Sequence, residues 1–165
     1  MNKYLVIVLL ACVSLSAYSQ TDSIQPPYKR FPVFPPVKLL ETDSATLFTK
    51  ADLPKKTPVV LMVYNPACEH CQHETEEIIK HMDELKKVEF VMATMMPFDS
   101  MLHFRSKYQL AQYPNIIMGQ DIHYFLPSFY MITYLPFMAI YDKKGQLVTT
   151  FQGSMKIEDL IKALD

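Results

Sequence analysis

The sequence predicts a single α/β domain built on a mixed sheet, and three observations carry that prediction. Residues 59–64 and 89–94 are two runs with the length and apolar content of strands buried on both faces. Each is followed by a stretch whose apolar residues suit a helix packed on the sheet. Residues 137–141 and 147–151 read as two further strands around Asp142-Lys143-Lys144-Gly145, a good hairpin turn, so part of the sheet must be antiparallel. The 165 residues, half of them hydrophobic and a fifth charged, suit one domain with a real apolar core.

Taken in order, residues 20–38 hold Pro26, Pro27, Pro32, Pro35 and Pro36 without a helical period, which predicts an extended arm. The domain proper is expected over residues 39–165. Residues 45–49 suit a short strand and 50–58 a polar turn leading into the buried strand 59–64. Next comes a helix, in which Ile78, Ile79, Met82 and Leu85 form an apolar stripe while Glu76, Glu77, Lys80 and Lys86 face water. Strand 89–94 leads to a helix over about residues 99–111, with Met101, Leu102 and Tyr108 available for burial. Residues 112–133, rich in aromatics and interrupted by Pro127, read as a broken helix and loop. After the hairpin, Ser154 can cap a last helix with Ile157, Leu160, Ile161 and Leu164 on its apolar side. The expected order is β-α-β-α-β-β-α.

Lys3, the apolar run over residues 4–15 and the small-x-small pattern Ala17-Tyr18-Ser19 predict a secretory signal over residues 1–19. A run of about a dozen apolar residues falls short of the ~20 that span a bilayer. An uncleaved anchor and a lipoprotein acylated on Cys12 are the alternatives. Cleavage after Ser19 removes Cys12 and leaves Cys68 and Cys71 as the remaining cysteines. A disulfide between residues three apart closes almost no loop and adds little stability. A pair so placed is there for chemistry.

A buried strand running straight into Cys68-Glu69-His70-Cys71 and then into an amphipathic helix fits thiol–disulfide exchange. The attacking sulfur must be a thiolate, and the free N–H groups at a helix start, together with His70, favour the anion on Cys68. Cys71, inside the first turn, is placed to resolve the mixed disulfide. Glu74 and Glu76 read chiefly as carboxylates favoured at the positive end of the helix, with a proton relay as the second reading of Glu74. His73 and His81 read as solvent-facing helix residues.

With these residues in view, the chain resembles the thioredoxin superfamily, in particular the exported TlpA/ResA-type proteins. The resemblance spans residues 39–165 and rests on VVLMVYNPACEHC and on Tyr134-Leu135-Pro136-Phe137-Met138-Ala139-Ile140-Tyr141-Asp142-Lys143-Lys144-Gly145, followed by Gln152-Gly153. It implies a thioredoxin-like fold, with a central mixed sheet, helices on both faces and a helical insertion before a cis-proline at Pro136. It further implies catalytic roles for Cys68, Cys71, His70 and Pro136, and substrate contact by Tyr64 and Leu135. The implied partners are protein thiols or disulfides and a membrane or periplasmic redox partner, in the periplasm of a Gram-negative bacterium. No cofactor and no resident metal are implied. The chain departs from the common pattern at Met62, where a buried aspartate is usual, at Ala67 for tryptophan, at Tyr64 for the other common aromatic, at Leu135 before the proline, and at Glu69-His70 between the cysteines.

Other function classes fare less well. Gly119, Gly145 and Gly153 are the only glycines and are scattered, so no Gly-rich phosphate cradle exists and nucleotide chemistry of the P-loop or dinucleotide type is excluded. Sixteen basic and seventeen acidic residues give a net charge of −1, which argues against nucleic acid or an anionic membrane surface as the main partner. The second function considered is a copper- or zinc-binding chaperone using Cys68, Cys71 and a nearby histidine, with His70, His73 and Glu74 close in sequence. Met92, Met95 and Met96 read as core filler rather than copper ligands. A peroxidase of the same superfamily would need a hydroxyl three residues before Cys68, where Asn65 stands.

Overall fold

The computed structural model describes residues 25–164, so the expected signal over residues 1–19 lies outside the described residues. The strands are β1 (Leu39–Glu41), β2 (Leu47–Phe48), β3 (Val59–Val63), β4 (Glu89–Thr94), β5 (Ile116–Gln120), β6 (Phe137–Tyr141) and β7 (Leu147–Gln152). The helices are α1 (Pro27–Arg30), α2 (Glu69–Lys80), α3 (Met82–Leu85), α4 (Phe98–Lys107), α5 (Phe125–Tyr130) and α6 (Ile157–Leu164). All seven strands join one sheet in the order β2-β1-β5-β4-β3-β6-β7. β3, β4 and β5 are parallel; β6 and β7 on one side, and β1 and β2 on the other, are antiparallel. Every residue of β3, β4 and β6 is buried, the reason β3 and β6 are continuous apolar runs and β4 is one between Glu89 and Thr94.

Alternation along β3 divides the interior in two. Val60, Met62 and Tyr64 enter a core with Cys71 and Ile78 of α2, Met101 and Phe104 of α4, and Leu160 of α6. Val59, Leu61 and Val63 enter a second core with Phe34 and Val37 of the arm, Phe48 of β2, and Leu126 and Phe129 of α5. Helices therefore cover both faces, as the sequence predicts. Among the described residues no helix is long and apolar enough to cross a membrane.

The structure departs from the sequence reading where tertiary pairing outweighs local pattern. Residues 112–133 hold a full strand, β5, clamped between parallel β4 and antiparallel β1. β1 approaches so closely that a Cβ on Gly119 would stand 2.6 Å from Cβ of Leu39. The buried Asp121 starts α5 by accepting the N–H groups of Phe125 (3.1 Å) and Leu126 (2.8 Å). Pro127 is then harmless, because its missing N–H falls in the first turn. The helix expected through Leu85 breaks at His81 into α2 and α3, and the one expected to residue 111 ends at Lys107, before Gln109 at φ 51°. The arm is not wholly extended: Pro27 opens the single turn of α1, for which its fixed φ is suited. The hairpin turn forms as expected, with Gly145 at φ 74° donating its N–H to the Asp142 carbonyl at 2.8 Å.

Candidate active site

β3, β4 and β5 point the same way, and antiparallel β6 begins where they end, so one end of the sheet collects the loops that follow β3 and precede β6. Tyr64 still bonds across to the Ala93 carbonyl (3.0 Å), and the chain then turns: the Asn65 carbonyl accepts the Cys68 N–H at 3.0 Å, and Asn65 Oδ1 accepts the Ala67 N–H at 2.9 Å. This turn leaves Cys68 as the N-cap of α2, at φ −84° and ψ 119°, with its thiol at the positive end of the helix. Cys68 is partly exposed, Cys71 is fully buried, and both are free thiols. The Cys68 thiol donates to the Leu135 carbonyl oxygen at 4.0 Å, and the Leu135–Pro136 peptide is cis.

The loop opposite the thiols is braced from β7. Gln152 Oε1 accepts the Thr133 N–H (2.7 Å), the Thr133 hydroxyl (2.8 Å) and the Tyr134 N–H (3.1 Å). The Pro136 carbonyl accepts the Gly153 N–H at 2.8 Å. Beneath the surface, Cys71 Sγ accepts the Asn65 N–H at 3.5 Å. Burial nevertheless pushes its thiol up to about 12, since a thiolate removed from water is disfavoured. One turn further along α2, Glu74 is also buried. Its Oε2 accepts the Met155 N–H at 2.9 Å, Oε1 has no partner, and burial raises the carboxyl above its usual 4.5.

The family model for a thioredoxin-like domain matches residues 48–165, which takes in both cysteines, Pro136 and the closing helix. The chain belongs to the thioredoxin-like domain family. No curated protein matches it in sequence. Among solved structures it is similar to a secreted Mycobacterium tuberculosis disulfide oxidoreductase homologous to E. coli DsbE, at 22% identity over 78% of this chain and 93% of that one, with a TM-score of 0.64. It is similar to DsbF of MTB, solved in mixed oxidised and reduced forms, at 21% identity over 78% and 92%, TM-score 0.65. StoA from Bacillus subtilis is similar at 19% identity over 80% and 98%, TM-score 0.57. At these identities the likeness is one of fold.

Within the thioredoxin-like domain, Cys68, Cys71, Leu135 and Pro136 come together, and His70 lies exposed between the cysteines. Tyr64 does not join them at the surface. It is fully buried, with its ring 4.7 Å from that of Phe104, because the alternation of β3 turns it toward α2 and α4; substrate contact by Tyr64 is thereby corrected. Met62 is buried where the aspartate is usual, and Glu74 brings a carboxyl from the helix side instead. The sequence carries a signal for this placement, since Cys71, Glu74 and Ile78 share a face at three-and-four spacing. Among the described residues no three His, Cys, Asp or Glu side chains converge to hold a metal ion, and His70 and His73 are exposed.

Proposed function

We propose that the protein exchanges disulfides with protein substrates in the periplasm, through the Cys68-Glu69-His70-Cys71 motif. One observation carries this reading: a partly exposed Cys68 caps a helix opposite Leu135 and Pro136, directly above a buried partner thiol. The Cys68 thiolate attacks a substrate disulfide, forming a mixed disulfide and releasing one substrate thiolate. Cys71 then gives up its proton and attacks Sγ of Cys68, so the second substrate sulfur leaves as a thiolate and the protein holds the Cys68–Cys71 disulfide. Two electrons have passed to the substrate, and a partner dithiol restores the protein by the same steps reversed. A thiol pushed up to about 12 does not ionise unaided, and the unpartnered oxygen of Glu74 is the nearest buried base on the same helix face. His70 and the helix start support the Cys68 anion, while Leu135 and Pro136 shape the substrate surface. The secretory signal expected over residues 1–19 and the similarity to a secreted disulfide oxidoreductase support an exported location.

Reduction of insulin with dithiothreitol as electron source tests the reading. Wild type is expected to turn over, Cys68→Ser to be inert, and Cys71→Ser to accumulate mixed disulfides visible on a non-reducing gel. Trapping by Cys68→Ser in place of Cys71→Ser would reverse the roles, and no turnover by wild type would refute the activity.

A further inference from the structure

Six lysines occur as three adjacent pairs, Lys55-Lys56, Lys86-Lys87 and Lys143-Lys144. The pairs are distant in sequence, and the fold gathers them. The first lies in the loop entering β3, the second in the loop entering parallel β4, and the third in the turn leaving antiparallel β6. β4, β3 and β6 are neighbours in the sheet, so the three loops emerge together at the end opposite the cysteines. Lys56, Lys86, Lys87 and Lys143 line one open groove there, and Lys143 and Lys144 line the next. Neighbouring strands lie about 4.8 Å apart, so the three loops fall within roughly 10 Å, about one Debye length, and their charges reinforce one another.

Among the described residues no ion pair engages this charge. All six lysines are exposed, and the one ion pair among the described residues, Lys80 with Glu77, lies on α2. The largely buried Glu89 lines the first groove and Asp142 the second, where the Asp142 carboxylate accepts the N–H groups of Lys144 (2.8 Å) and Gln146 (2.9 Å) within its own turn. Asp52, three residues before Lys55, and Asp83 and Glu84 of α3 are the nearest exposed acids along the chain. The arm passes the same pole. The Pro32 carbonyl accepts the Leu147 N–H at 2.8 Å and Val33 bridges to Gln146, with Phe31 the next residue along the arm. Phe31 is 59% exposed and Val148 is 51% exposed.

We propose that this pole docks on an anionic phospholipid surface. Lysine is a point charge on a flexible stem and lacks the planar fork with which arginine grips a single carboxylate or phosphate. Six such charges spread over three loops suit a diffuse anionic surface rather than one bound anion. Exposed Val148, which lines the second groove with Lys143 and Lys144, and exposed Phe31, next in the chain to the Pro32 contact with Leu147, supply the apolar contact that a lipid interface accepts together with basic charge, and that an acidic polypeptide does not require. Docked in this way, the domain presents Cys68 on its far side, away from the bilayer.

Co-sedimentation of the full chain tests this, with vesicles of phosphatidylcholine alone and of phosphatidylcholine mixed with phosphatidylglycerol. Any apolar affinity of residues 1–24 acts on both vesicle types, so the ratio of the two isolates charge. Binding to the mixed vesicles is expected to dominate and to fall as salt is raised. A lysine at such a surface contributes about a fivefold factor, so Lys86→Gln with Lys87→Gln should lower the partition coefficient roughly 30-fold at low salt. Lys38→Gln with Lys156→Gln removes two charges from near the cysteine end and should leave the ratio unchanged; Lys38 enters β1 opposite the end of β5, and Lys156 follows the Gly153 contact to Pro136. Equal binding to both vesicle types, or wild-type partitioning by a Lys86/Lys87 variant with native circular dichroism, would overturn the proposal. So would tighter binding to polyglutamate than to the mixed vesicles, which would give the pole to an acidic polypeptide.

Discussion

Glu74 holds a carboxyl in an apolar core, accepting one backbone N–H while its second oxygen goes without a partner. Its raised proton affinity sets the sign of a stability effect. Between the unfolded value and the higher native one the folded state binds more protons, so stability is greatest at low pH and declines as pH rises through the native value. Glu74→Gln keeps an acceptor for Met155 and removes the buried charge. We expect it to unfold about 1 kcal/mol harder than wild type near pH 7 and with no advantage below about pH 4, measured by thermal melts at both. The same variant should release mixed disulfides about a hundredfold more slowly, since a positioned base contributes on that scale. At this scale strand, spacing and helix pattern agree on both thiols, while the proline facing them comes from the family resemblance alone. The sequence misplaces Tyr64, since a run of apolar residues does not say which way its last member turns. It underrates Glu74 because a glutamate early in a helix has an ordinary electrostatic reason to be there.

The loop carrying Leu135 and Pro136 has no regular structure of its own and depends on a neighbouring element. Gln152, at the end of β7, holds it through three hydrogen bonds to one oxygen. Gln152→Ala leaves the N–H groups of Thr133 and Tyr134 to solvent and frees the segment facing Cys68. Insulin reduction should show KM raised several-fold with kcat changed less, because the residue positions the binding surface without touching the reacting sulfurs. Loss of kcat alone would instead place Gln152 in the chemistry. Elements with strong local patterns, namely β3, β4, β6 and α2, are legible in the amino-acid sequence alone. β5 and α5 are not: five residues between two paired strands owe their form to tertiary contacts, and α5 is opened by Asp121 four and five residues upstream rather than by an adjacent cap.

Across the whole molecule, composition conceals what topology displays. A net charge of −1 says nothing of six lysines collected at one end while Glu69 and Asp99 stand near the other. The arm is likewise more than a linker: Phe34 is 2% exposed, lies 5.4 Å from the ring of Tyr141 and 6.3 Å from that of Phe48, and fills the second core. Phe34→Ala should destabilise the domain by about 3–5 kcal/mol in urea titrations, as for other large core truncations; a change below about 1 kcal/mol would show that the arm only rests on the surface. That packing also sets a schedule. Tyr28 meets Tyr130, Phe34 meets Tyr141, and Pro32 bonds Leu147, so the first part of the domain to leave the ribosome closes on the last third to be made. Contacts joining distant parts of a chain form late and slowly. A chain stopped after residue 130 should therefore show no cooperative unfolding transition, and one still emerging stays open, the condition in which a polypeptide is threaded through an export channel.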